Sequence, residues 1–122
     1  QGGCPVGHAV ITTAGFLPAR YVIHTVGPVW KGGQNDEDGL LARAYHSSLQ
    51  LAREQGIKSV AFPSISTGAY RFPLQRAARI ALATVMDFLE AHPGIFSEIR
   101  FVLFTQEILA TYEQVLQELM RQ

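Results

Sequence analysis

The stretch from position 59 to position 74 reads Ser59-Val60-Ala61-Phe62-Pro63-Ser64-Ile65-Ser66-Thr67-Gly68-Ala69-Tyr70-Arg71-Phe72-Pro73-Leu74. Its first five residues form a short apolar run, which is typical of a strand covered on both faces. The Ser, Thr and Gly residues that follow predict a loop, and Pro73 stands where the first turn of a helix tolerates proline. A strand, a small-residue loop and a helix in this order indicate an α/β domain.

Upstream of this stretch the sequence predicts two strands and a helix. Residues 8–13 and 20–26 are dominated by β-branched and aromatic residues, which favour strands. A polar loop over residues 30–39 leads into a helix that stops at Gly56, because apolar residues recur there at helical spacing. The candidate helix caps are Asn35, Asp36 and Asp38, and the apolar positions are Leu41, Ala44, Tyr45, Leu49 and Ala52.

Downstream the sequence predicts a helix, a strand and a terminal helix. The helix after Pro73 ends at His92-Pro93-Gly94, and residues 99–104 form a second buried strand. The order β-β-α-β-α-β-α predicts a largely parallel sheet, with ligands at the carboxyl ends of its strands. The apolar positions are Leu74, Ala77, Ala78, Ala81, Leu82, Val85, Met86 and Leu89 in the first helix, and Ile108, Leu109, Tyr112, Val115, Leu116 and Leu119 in the second.

Composition excludes several classes of protein. A chain of 122 residues with 48% hydrophobic residues builds one domain over residues 1–122. Non-specific nucleic-acid binders carry an excess of basic residues. The formal net charge here is +0, so we expect no nucleic-acid partner. The apolar runs are too short to span a bilayer, so we expect no membrane partner. Cys4 is the only cysteine, which precludes an internal disulfide and favours the cytoplasm.

The junction around Gly68 carries the most chemistry. Small residues let successive backbone N–H groups turn toward one centre, and the following helix N-terminus adds a partial positive charge. A phosphate group can be held there without lysine, and Tyr70 and Phe72 flank the loop with aromatic faces suited to a sugar. From composition alone, a tight turn is an equally good interpretation.

The segment Ser66-Thr67-Gly68-Ala69-Tyr70-Arg71-Phe72-Pro73 resembles the second ligand loop of macrodomains of the ADP-ribosyl-hydrolase type. A second block agrees with it: Gly3-Cys4-Pro5-Val6-Gly7-His8-Ala9 with Thr12, then Leu17-Pro18-Ala19-Arg20-Tyr21-Val22-Ile23-His24-Thr25-Val26-Gly27-Pro28, is similar to two strands of that family. The resemblance covers nearly the whole chain in the family's order. It implies a three-layer α/β/α fold with a mixed sheet.

The resemblance also implies roles for particular residues. The backbone amides of the loop bind the two phosphates of ADP-ribose, and Tyr70 lies against the distal ribose. Phe104, and less firmly Thr105, form part of the adenine slot, although an aromatic residue that ends a strand is as often a core residue. No cofactor is implied. The implied ligand residues are Ser66, Thr67, Gly68, Ala69, Tyr70 and Phe104.

The sequence departs from the family's pattern at one point. Macrodomains begin with strands and a helix that bear an Asn-Ala-Ala-Asn-like segment and a glycine-rich loop with an acidic residue, and this sequence has neither. The catalytic residues are therefore unassigned. We expect the chain to be the C-terminal two-thirds of a macrodomain, with a gap in its sheet that leaves strand edges unpaired.

The remaining candidate residues fit simpler roles. The histidines are scattered and lack a carboxylate cluster, so we expect no metal site. Cys4 has no evident base, and Ser66 lacks the strained elbow of a nucleophile. Arg71 is either a phosphate contact or a solvated side chain, and the acidic residues at 36–38 suit the first turn of a helix. The histidines are His8, His24, His46 and His92.

Two functions remain open for such a chain. The first is a hydrolase of O-acetyl-ADP-ribose, or of mono-ADP-ribose attached to protein, and its partners are ADP-ribose derivatives and ADP-ribosylated protein. The second is a module that binds ADP-ribose without turnover. Binding of RNA or poly-ADP-ribose is disfavoured by the zero net charge.

Overall fold

The strands and helices follow the order predicted from the sequence. A computed structural model describes residues 9–13, 21–25, 30–63, 72–103 and 105–121. The strands are β1 (Ala9–Thr13), β2 (Tyr21–Thr25), β3 (Ser59–Pro63) and β4 (Glu98–Val102), and the helices are α1 (Glu37–Glu54), α2 (Leu74–Ala91) and α3 (Gln106–Met120). The order β-β-α-β-α-β-α is confirmed.

The strands form two separate pairs within the described residues. β1 and β2 are antiparallel, with Ala9 opposite Thr25, whereas β3 and β4 are parallel, with Ser59 opposite Glu98. Strand directions are thus mixed, as the resemblance implies. No ladder joins the two pairs in this part of the chain, which agrees with the gap expected in the sheet.

The core lies between the helices and one face of the β3–β4 pair. The ring of Tyr45 from α1 contacts Phe62 of β3 at a centroid distance of 5.1 Å. Phe101 of β4 stacks on Phe62 at 5.7 Å and contacts Tyr112 of α3 at 5.5 Å. All four rings belong to a single apolar cluster, to which α2 contributes its alanine-rich face.

The other face of the β3–β4 pair is exposed, so the prediction that β3 and β4 are buried on both faces is wrong. Burial alternates along each strand, and Ala61 and Val102 point away from the core. The exposed fraction of Val102 is 40%. A continuous apolar run predicts burial of both faces of a strand, but a face becomes buried only where a further layer of structure covers it.

Three details of the helices correct the sequence predictions. α1 begins at Glu37, inside the loop predicted to extend to Gly39. In α2 the core position is Phe88, with an exposed fraction of 3%, whereas Leu89 is 36% exposed. In α3 Tyr112 and Val115 are buried, while Leu109 and Leu116 of the predicted stripe are largely exposed.

Candidate functional site

The carboxyl ends of β3 and β4 meet at one edge of their sheet. The parallel register places Pro63 opposite Val102. Residues 64–71 connect Pro63 to Phe72, and Phe104 comes two positions after Val102. The two segments of the predicted site, residues 64–71 and Phe104, therefore both start from the same edge of the sheet. The predicted ligand residues Ser66, Thr67, Gly68, Ala69, Tyr70 and Phe104 themselves lie outside the described residues.

α2 is the next helix after β3, and residues 64–73 join the two elements. Leu74 is its first residue, and Pro73 precedes it with φ −55° and without a side-chain cap among the described groups. The amide of Ala77 closes the first helical turn onto the carbonyl of Pro73 at 2.9 Å. The first N–H groups of a helix lack intrahelical partners and carry a partial positive charge, so this end of α2 favours an anion.

A buried carboxylate organises the chain just before α1. Glu37 is 2% exposed, and its side chain accepts hydrogen bonds from the backbone amides of Lys31 at 2.6 Å, Gly33 at 3.2 Å and Asn35 at 2.8 Å. Desolvation raises the pKa of Glu37, but these three bonds and one from its own amide lower it more. The pKa consequently lies below its ordinary value of 4.5.

The segment wrapped around Glu37, residues 31–36, is a tight turn that we call the Glu37 turn. Gly32 and Gly33 have φ of +88° and +85°, and Asp36, which ends the turn, has φ +57°. Glycine adopts these angles without a steric penalty. Asp36, one of the three candidate caps, occupies the N-cap position of α1, but its side chain makes no hydrogen bond to the described amides of the helix. The carboxylate of Glu37 binds the amides of the turn instead.

Aromatic and charged contacts join the Glu37 turn to the start of α2. The rings of Trp30 and Phe72 are 4.9 Å apart, and the guanidinium of Arg76 lies 5.0 Å from the Trp30 ring. Arg76 also donates to both carboxylate oxygens of Asp38, at 2.6 to 3.0 Å. This hydrogen bonding raises the pKa of Arg76, because it favours the charged form. Two helices are thereby connected beside the candidate site.

This arrangement corrects one expectation and adds residues that the sequence did not single out. Phe72 is 2% exposed and packs on Trp30, so it does not offer a face to a sugar. Glu37 and Trp30 received no functional role from the sequence. The sequence does contain a signal for their roles: Trp30 is followed by Gly32 and Gly33, and Glu37 comes four positions after Gly33. This spacing fits a turn whose backbone amides close on a carboxylate.

The side chain of Thr105, predicted to lie near the adenine slot, is engaged in a different contact. Its Oγ1 accepts a hydrogen bond from the amide of Ile108 at 3.1 Å and so caps α3.

The histidines do not form a metal site in the described part of the chain. His46 and His92 border a groove of about 390 Å³ between α1 and α2, and the ring of Phe88 forms its floor. No group of three or more His, Cys, Asp or Glu side chains gathers among the described residues. The structure does not describe Cys4, His8, Arg71 or the side chain of His24. None of the described helices has the length and apolar character needed to cross a bilayer.

Comparison with known proteins decides the family. The sequence profile of the Macro domain matches residues 1–81. The chain belongs to the Macro domain family. A macro domain-containing protein of Caldanaerobacter subterraneus subsp. tengcongensis is 60% identical over 119 residues, which cover 98% of this macrodomain and 67% of that protein. The O-acetyl-ADP-ribose deacetylase of Citrobacter koseri is 55% identical, over 95% of this chain and 65% of its own length.

Solved macrodomains share the fold. The Oceanobacillus iheyensis macrodomain with ADP superimposes with a TM-score of 0.91 at 38% identity, covering 96% of this chain and 60% of that one. The Trypanosoma brucei macrodomain in complex with ADP-ribose gives a TM-score of 0.87 at 40% identity, covering 93% and 47%. The predicted α/β macrodomain fold is confirmed. The macrodomain sequence spans about two thirds of the length of its curated relatives and less of the solved chains.

Proposed function

We propose that this macrodomain binds ADP-ribose at the carboxyl edge of β3 and β4. The observation that carries the proposal is the parallel pairing of Pro63 with Val102, since it directs residues 64–71 and Phe104 to one edge of the sheet. Ligands of open α/β sheets bind at such edges. Relatives and solved neighbours named for O-acetyl-ADP-ribose, ADP and ADP-ribose support the choice of ligand.

The proposed contacts divide the ligand into three parts. The backbone amides of Ser66, Thr67, Gly68 and Ala69 form a phosphate-binding loop that holds the diphosphate, with the positive end of α2 beside them. Tyr70 packs on the distal ribose, and Phe104 borders the adenine. A protein with a formal net charge of +0 binds a dianionic ligand in this way because oriented N–H groups supply the local positive potential.

We further propose that the whole protein is a hydrolase of O-acetyl-ADP-ribose, or of mono-ADP-ribose attached to protein, so that an ADP-ribosylated protein is a second partner. The names of the Citrobacter koseri relative and of similar enterobacterial proteins support the deacetylase activity. A cytoplasmic location is part of the same proposal and rests on the single cysteine.

The second candidate function is ADP-ribose binding without turnover. It is favoured by the solved neighbours from Oceanobacillus iheyensis and Trypanosoma brucei, which are named for bound ADP and ADP-ribose and not for a reaction. Binding and turnover separate the two candidates.

The test is titration calorimetry of the full-length protein with ADP-ribose, together with release of acetate from O-acetyl-ADP-ribose. We expect saturable binding that Gly68→Val abolishes, because a β-branched side chain fills the space that the phosphate needs. A thermal melt of the variant shows whether the core persists. Binding without acetate release selects the second candidate, and unchanged affinity in a folded Gly68→Val protein removes the loop from the site.

A further inference from the structure

The Glu37 turn fixes the position of Trp30. The carboxylate of Glu37 closes the turn through the amides of Lys31, Gly33 and Asn35. The closed turn places the Cα of Gly33 directly against the indole, since a Cβ built on Gly33 would come within 2.9 Å of Cη2 of Trp30. A larger residue at this position must shift the indole, so the conformation of the turn and the position of the ring depend on each other.

Trp30 in turn holds the residue at which the proposed ligand loop joins α2. Phe72 is buried against the indole at 4.9 Å, and it lies between residues 64–71 and the first turn of the helix. Arg76, in the first turn of α2, lies over the same indole at 5.0 Å and is bound to Asp38, the residue after Glu37. The contacts form a closed ring that runs from the start of α1 to the start of α2 and back.

We propose that Glu37 is a positioning residue for ligand binding, which acts by folding the turn that presses Trp30 onto Phe72 and so sets the N-terminus of α2. The inference rests on the proposed function, because it assigns a remote residue to the affinity of that same site. Glu37 does not touch the ligand in this account. Its effect passes through Trp30 and Phe72 to the N-terminus of α2, which in the proposed function faces the phosphates of the ligand.

Two adjacent glycines provide a matched pair of variants. Gly32 and Gly33 have nearly equal positive φ, so an alanine at either strains the backbone to a similar extent. They differ in their neighbours: a Cβ at Gly32 meets nothing within 4 Å, whereas one at Gly33 meets the indole. The comparison of Gly33→Ala with Gly32→Ala therefore cancels the cost of backbone strain, and what remains is the effect of displacing Trp30.

We expect both variants to remain folded, with the urea midpoint of Gly33→Ala at or below that of Gly32→Ala, and with different affinities for ADP-ribose. In the full-length protein, Gly33→Ala should weaken ADP-ribose binding by about tenfold or more, and Gly32→Ala by less than about twofold, on the scale where tenfold is 1.4 kcal/mol. Trp30→Ala should weaken binding like Gly33→Ala, and Trp30→Phe should restore most of the affinity because a ring again faces Phe72. Glu37→Gln, which puts an amide donor against backbone donors, should follow Gly33→Ala.

Amide hydrogen exchange of the peptide covering Phe72 to Ala77 gives a readout that needs no ligand. We expect faster exchange there in Gly33→Ala and Glu37→Gln than in Gly32→Ala. If the wild-type protein binds no ADP-ribose, the proposed function fails and the exchange comparison alone decides whether Glu37 positions α2. If the wild type binds, both results are required. Equal affinities of the two glycine variants, or lost affinity without faster exchange, overturn the proposal.

Discussion

At the scale of the residue, Glu37 gives the clearest dependence on pH. Its pKa is lowered in the folded protein, so its contribution to stability is complete above the ordinary value of 4.5 and is lost as the pH falls below 4.5 through the folded value. We expect Glu37→Gln to be less stable than the wild type near neutral pH and the difference to shrink in acid. Urea unfolding at a series of pH values measures it.

The control for this prediction is Glu90→Gln, because Glu90 lies on the exposed face of α2. We expect the stability of Glu90→Gln to follow that of the wild type at every pH. A gap between the wild type and Glu37→Gln that stays constant into acid contradicts the assignment of the carboxylate as charged.

A second prediction at this scale concerns Tyr70. If its ring packs on the distal ribose, Tyr70→Ala removes a contact worth about 1–3 kcal/mol for ADP-ribose. AMP has no distal ribose, so its affinity should hardly change, and calorimetry with both ligands separates the contributions. Equal loss for AMP and ADP-ribose would falsify the ribose contact and make Tyr70 a scaffold residue.

The residues around the candidate site differ in how far sequence reveals their roles. The strand-to-helix junction was predictable, since small residues between an apolar run and a helical stripe are typical of such a loop. The role of Phe72 was not, because its partner Trp30 lies 42 positions earlier and sequence spacing carries no information about that contact. Glu37 resembled an ordinary acidic residue of a first helical turn. Only the fold of the turn shows that its carboxylate is enclosed by amides.

At the scale of the element, helical periodicity correctly predicts α1, α2 and α3. The errors of prediction concern where a helix begins and which of its residues face the core. The polarity of residues 30–39 predicts a loop over the first turn of α1, whereas the bonds to Glu37 stabilise a helix start within that polar stretch. In α2, Phe88 and Leu89 are adjacent, and periodicity alone does not decide which of them faces the core. The aromatic contacts of Phe88 with His46, His92 and Phe96 decide it.

This pair gives the prediction for the element. Phe88→Ala removes a side chain that is 3% exposed and should lower the free energy of unfolding by about 3–5 kcal/mol. Leu89→Ala, at a position that is 36% exposed, should cost less than about 1 kcal/mol. Both variants keep α2 free of new polar groups, and alanine favours helix. Urea unfolding followed by circular dichroism compares them, and equal losses contradict the assignment of the core face.

At the scale of the whole molecule, the two strand pairs are the central fact. The β1–β2 and β3–β4 pairs are not joined by a ladder among the described residues, and one face of the β3–β4 pair is exposed. Strand edges without partners and exposed apolar positions such as Val102 invite pairing with another chain. The sequence predicted this gap through the resemblance, since composition and periodicity report which strands exist and not which neighbours a sheet requires.

The last prediction is that the 122 residues alone neither stay monomeric nor hydrolyse O-acetyl-ADP-ribose. Exposed strand edges promote self-association or strand exchange, which light scattering detects. Catalysis fails because a hydrolytic water must be held in place, an advantage worth about 7–11 kcal/mol in favourable cases, and the family's water-positioning asparagine pair is not among these residues. The remaining amides still lend affinity for phosphate, so weak binding should outlast chemistry.

Both failures should be reversed together by supplying the part of the Citrobacter koseri deacetylase that this chain does not match, about a third of that protein. The matched regions of the two proteins are 55% identical, so the supplied part should meet a similar surface on this chain. The control is an equal amount of an unrelated peptide of the same length. Acetate release and a fall in scattered light that appear only with the matching part support a shared cause, because one segment both closes the sheet and carries the missing polar groups. A monodisperse, active monomer of the 122 residues alone places the catalytic groups within the chain and overturns the prediction.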